Sequence, residues 1–115
     1  MAAKRFDPRP QFVAEVRAFV REHARDSPRA EDVELAASEL ATNAIRHAMT
    51  PFELSIHIAP EQIRLEVKDE SPIIPVLFRA AGPRHGLHIV DALAERWGIH
   101  EAHGGKTVWA EFTLE

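Results

Sequence analysis

At 115 residues the chain has the length of one domain, 1–115, with enough material for a single core and too little for two. Hydrophobic residues at 45% and charged residues at 28% exclude a disordered chain. The 14 basic and 18 acidic residues argue against a phosphate-tracking nucleic-acid surface, and the absence of cysteine excludes disulfides, thiolate metal sites and a cysteine nucleophile. No apolar run approaches the roughly 18 residues of a membrane span, and Met1 to Phe6 lacks the apolar segment of a signal peptide, so the expectation is a cytoplasmic protein without a membrane partner.

Residues 1–10, broken by Pro8 and Pro10, read as a loop or at most a short edge strand. From Gln11 to about Ala24, Phe12, Val13, Val16, Phe19, Val20 and Ala24 recur at helical spacing. Asp26-Ser27-Pro28 breaks and restarts the chain, with Ser27 as a cap and Pro28 in the first turn of a second helix. That helix runs to about Ala48, where Met49-Thr50-Pro51 ends it. Glu39, Asn43 and His47 stand four apart and share one face, beside a broad stripe of small apolar residues. Asn is a mediocre helix former because its amide competes for backbone hydrogen bonds, so Asn43 points to a role beyond helix formation. The plain alternative is an exposed polar face.

Residues 52–58 and 62–68 alternate strictly between apolar and polar around Ala59-Pro60-Glu61 and predict an antiparallel hairpin. Asp69 continues the parity of Ile63, Leu65 and Val67 and therefore faces the core. A carboxylate there needs a partner. It is either a turn-capping Asp or an acceptor for a donor on a bound ligand. Residues 70–85 hold three prolines and no clean period, the composition of a lid or binding loop. The apolar run at 72–78 within it suits a partner surface or a dimer contact, or burial against its own fold. From Gly86 to Ala94 helical spacing returns, and the amide donors at its start suit an anion. Arg96 to Ala102 reads as a strand, His103-Gly104-Gly105 as a hairpin turn, and Lys106 to Leu114 as a closing strand with Val108, Ala110, Phe112 and Leu114 on one face. Gly104-Gly105-Lys106-Thr107 is no P-loop, because it precedes a strand where that motif opens a helix.

In order, the chain thus carries Glu39-Leu40-x-x-Asn43, then Val67-Lys68-Asp69-Glu70-Ser71-Pro72, Gly86-Leu87-His88-Ile89-Val90-Asp91-Ala92-Leu93 and Gly105-Lys106-Thr107-Val108-Trp109. This series resembles the GHKL ATPase superfamily with its HATPase-type domain, and more narrowly the RsbW-like serine-kinase anti-sigma factors, over nearly the whole chain. The resemblance implies an α/β two-layer sandwich of the Bergerat type: a mixed, mostly antiparallel sheet covered on one face by about three helices, with ATP between the layers. It implies that Asn43 holds a magnesium ion bridging the phosphates, which suits a neutral hard oxygen ligand. Glu39 is then the catalytic residue that orients or deprotonates the attacking serine hydroxyl. Asp69 accepts a hydrogen bond from the adenine amino group, Gly86 and Leu87 offer backbone amides to the phosphates, and Thr107 is either near the adenine end or an ordinary strand threonine.

The group's phosphate loop usually reads G-x-G-L, and Arg84 stands here where its first glycine belongs. A side chain at that place restricts close approach to phosphate, whereas a guanidinium adds a bidentate phosphate contact. The implied function is a serine/threonine-protein kinase and anti-sigma factor that binds ATP and Mg2+. Its implied partners are a sigma factor and a STAS-type anti-sigma factor antagonist, with homodimers usual in the group. The alternative is a non-catalytic partner-binding module on the same fold, its phosphate loop degenerate at Arg84.

Overall fold

In the computed structural model, residues 1–71 and 87–114 are described. In chain order they form β1 (Ala2–Phe6), a 3-10 turn (Pro10–Phe12), α1 (Val13–Ala24), α2 (Ala30–Asn43), a π turn (Ala44–Ala48), β2 (Phe52–Ile58), β3 (Gln62–Asp69), α3 (Leu87–Leu93), β4 (Arg96–Ala102) and β5 (Gly105–Thr113). The strands join in the order β1-β2-β3-β5-β4, and every described pairing is antiparallel. The expected two-layer sandwich is what forms.

Alternation builds the layer contact. Phe52, Leu54, Ile56, Ile63, Leu65, Val67, Val108, Ala110 and Phe112 send one row after another inward. Against them lie Val16, Val20 and Ala24 of α1, Val33, Leu40 and the alanines 36, 37 and 41 of α2, and Leu87 and Val90 of α3. The short side chains on α2 let that helix pack close, and it contacts α1, α3 and β3. β1 is a short edge strand, one of the two forms expected of residues 1–10; Phe6 pairs with Phe52 in register and stacks on it at 5.5 Å between ring centroids. On the opposite face of the sheet, Arg64 lies 4.4 Å from the Trp109 ring centroid and bonds Glu66 and Glu111 at 2.7 Å each.

Two details of α2 depart from expectation. Ser27 does not cap the helix itself: its hydroxyl accepts from the Arg29 N–H at 3.0 Å, closing the turn just before the helix begins. Arg29, the cap residue, makes no side-chain cap bond. Its guanidinium instead donates to the carbonyls of Leu93 and Thr113 (2.8 Å for the latter), to Asp32 at 3.0 Å and to Glu95 at 3.2 Å. At the other end the α-helical pattern stops at Asn43, and the turn over 44–48 is one residue wider, with the Met49 N–H donating to the Ala44 carbonyl at 3.1 Å. Met49 then turns into the left-handed region at φ 58° and releases the chain toward β2. Between the first two helices Glu34 accepts from Arg21 at 2.6 and 3.2 Å, with Arg17 3.4 Å away.

Candidate functional site

The end of α2 and the end of β3 meet at one end of the molecule. The Thr50 hydroxyl, just past the π turn, accepts the Glu70 N–H at 3.0 Å, and Phe52 pairs with Asp69 across β2 and β3. This brings Asn43 and Asp69, which are distant in sequence, to the same end.

Asn43 is the last α-helical residue and is only 3% exposed. Its amide nitrogen has no hydrogen-bond partner among the described residues. A buried amide left so costs free energy that an apolar residue would not, which marks the position as kept for something else. Glu39, one α-helical turn earlier, is partly exposed. π turns of this kind occur frequently at functional sites, and this one begins directly after Asn43.

Asp69 faces inward as its parity predicts, and it is 3% exposed. Its partner is Lys106, directly opposite on β5, with Nζ 2.9 Å from Oδ2 and 3.1 Å from Oδ1. Oδ1 also accepts the Ser71 N–H at 2.9 Å, so Asp69 closes the turn after β3 as well. The pair sits at the mouth of β5, where Gly105 packs against the backbone of Asp69: a Cβ there would lie 2.4 Å from the Asp69 carbonyl oxygen. Thr107 follows on the other face, in register with Lys68 and His100. It is therefore Lys106, not Thr107, that reaches the inward carboxylate. Sequence reasoning passed over Lys106 although the signal was present, since it has the same parity as Val108, Ala110 and Phe112.

Leu87 begins α3 with its side chain wholly buried. Arg84, Gly86 and the run at 72–78 lie outside the described residues. Among the described residues no group of three or more His, Asp or Glu side chains could hold a metal ion by itself, and no helix is long and apolar enough to cross a membrane. A magnesium ion is compatible with this arrangement, because magnesium takes few protein ligands and completes its shell with phosphate oxygens and water. The Asn43 amide suits such a role: a half-turn of its terminal torsion exchanges nitrogen for oxygen.

Residues 6–112 match the histidine kinase-like ATPase domain. The chain belongs to that family. Among solved structures this histidine kinase-like ATPase domain is similar to the RsbU and RsbW domains of Rv1364c from Mycobacterium tuberculosis, at 20% identity and a TM-score of 0.74. That likeness covers 99% of this chain and 33% of the other, so the chain spans a third of its length. It is also similar to the histidine kinase AdeS of Acinetobacter baumannii (18% identity, TM-score 0.62, 100% of this chain and 68% of that one). A third likeness is to the catalytic domain of histidine kinase ThkA (16%, 0.62, 99% and 98%). No curated protein matches the sequence. At these identities the structural likenesses establish an RsbW-like fold.

Proposed function

We propose that this domain is an ATP-binding regulatory protein that captures a sigma factor and phosphorylates a serine or threonine on a STAS-type anti-sigma factor antagonist. The observation that carries the reading is the buried Asn43 amide with its unpartnered nitrogen, one turn after Glu39 and at the same end of the fold as Asp69. The family match and the RsbW-like fold support the same reading.

In this reading Asn43 holds Mg2+, which supplies charge neutralisation to the β- and γ-phosphates when bound. Glu39, one turn before Asn43, would accept the proton of the attacking hydroxyl as the hydroxyl oxygen bonds to the γ-phosphorus and the bond to the ADP oxygen breaks. Asp69 would recognise the base, and backbone amides of Gly86 and Leu87 would be offered to the phosphates, with Arg84 either adding a phosphate contact or weakening the loop. The second reading, a non-catalytic partner-binding module, is favoured by the ion pair that Lys106 makes with Asp69.

Calorimetric titration with ATP, with and without magnesium, tests the nucleotide site, beside Asn43→Ala and Glu39→Gln. Magnesium-dependent binding that is lost in Asn43→Ala and kept in Glu39→Gln, with phosphoryl transfer to an antagonist lost in both, is the expected result. Absence of binding to the wild-type protein at millimolar ATP would leave the partner-binding reading.

A further inference from the structure

Asp69, Lys106 and Glu101 stand side by side on three adjacent strands, since Lys106 is in register with Asp69 on one side and with Glu101 on the other. Residues directly opposite across a ladder share a face and lie within side-chain reach. One ammonium therefore has a carboxylate on each side. In the structure it is bound to Asp69, with both side chains at most 3% exposed, while Glu101 is exposed and has no ion-pair partner among the described residues.

We propose that Lys106 is an internal gate on the base end of the nucleotide site: adenine reaches Asp69 only when the Lys106 ammonium moves across to Glu101. The inference rests on the nucleotide-site reading above. An ammonium brings a full positive charge to the carboxylate and so adds a Coulomb attraction that a neutral donor, such as the amino group of adenine, does not supply. Adenine therefore competes poorly for a carboxylate that is already paired. Lys106 cannot simply be expelled, because an ammonium buried without a partner is costly. Glu101 supplies the alternative partner and lies nearer water. The backbone does not make this move, since Gly105 is packed against the Asp69 carbonyl and pins the two strands together. The four-carbon stem of the lysine does.

The test is calorimetric titration with Mg-ATP of the wild-type protein, Lys106→Thr, Glu101→Gln and the double variant, each checked for cooperative thermal unfolding. Lys106→Thr is expected to bind roughly tenfold more tightly or better, the value of one bond to a charged group. Glu101→Gln, which leaves the buried pair intact, is expected to weaken binding several-fold in the wild-type background and to change nothing in the Lys106→Thr background. Equal or weaker binding by folded Lys106→Thr overturns the gate and leaves the nucleotide site standing. Should Lys106→Thr fail to unfold cooperatively, Glu101→Gln decides: weaker binding supports the gate, and unchanged binding overturns it. No binding by any of the folded proteins overturns the gate and the nucleotide-site reading together.

Discussion

Gly105 lies against Asp69 so closely that the smallest side chain would put a carbon 2.4 Å from the Asp69 carbonyl oxygen. The obstacle is backbone, which cannot rotate away as a side chain would. Gly105→Ala is expected to cost about 1–3 kcal/mol, the usual range for overpacking, read from the urea midpoint at unchanged slope. It is also expected to separate Lys106 from Asp69 and so raise the reactivity of the Lys106 amine toward acylation.

The Asp69 and Lys106 pair is a buried charge pair, and breaking it from one side differs from removing it. Asp69→Asn leaves the ammonium without a counter-charge and is expected to cost about 3–5 kcal/mol. Asp69→Val combined with Lys106→Met is expected to recover most of that loss, because replacing both charges by apolar groups removes the desolvation cost with the attraction. Chemical denaturation of the three proteins checks this. A double variant no more stable than Asp69→Asn would contradict the argument.

Asn43 and Leu40 are both buried on α2, yet their truncations are expected to part company. Leu40→Ala removes core packing and is expected to cost about 2–5 kcal/mol. Asn43→Ala removes an amide whose nitrogen is unpartnered and installs a better helix former, so stability should stay within about 1 kcal/mol of wild type while magnesium-dependent ATP binding is lost.

Three carboxylates make the fold sensitive to acid. Glu34 is held below its ordinary pKa of 4.5 chiefly by the hydrogen bond from Arg21, against an opposing effect of burial, and Glu95 chiefly by the Thr113 N–H. Burial raises Glu111, but the hydrogen bond from Arg64 and the charge of Arg96 outweigh it, so it too is lowered. Each folded carboxylate therefore binds its proton less readily than the unfolded one. Their contribution is fully present above the ordinary value and is lost as pH falls through the depressed ones. Urea midpoints between neutral pH and strong acid should show this decline. Glu34→Gln should flatten it while costing roughly 0.5–1 kcal/mol at neutral pH, since its arginine partners are largely exposed.

Alternation made the inward turn of Asp69 legible, because β-strand parity is strict wherever one face is buried. The same rule applied to residues 106–114 puts Lys106 on the same inward face, and the register of β5 on β3 sets it opposite Asp69. The glycines before Lys106 direct attention to the turn, and a lysine is the residue least expected in a buried row. The break at Asn43 left no such trace. Ala44 to Ala48 are unremarkable in composition, and a π turn is selected by how the helix end docks on β3, a tertiary matter. Ser27 stands two residues before the cap for a related reason: its hydroxyl serves the turn because Arg29, drawn to Leu93 and Thr113, occupies the place of the cap.

Arg29 ties the opening of α2 to carbonyls at the ends of α3 and β5, so two stretches more than half the chain apart behave as one cooperative unit. The helix that bears Glu39 and Asn43 is clamped at its far end by the closing strand. Amide hydrogens in the first turn of α2 and in the last residues of β5 should then exchange together, and a chain trimmed before Thr113 would transmit its loss along the length of α2 to the asparagine at the other end.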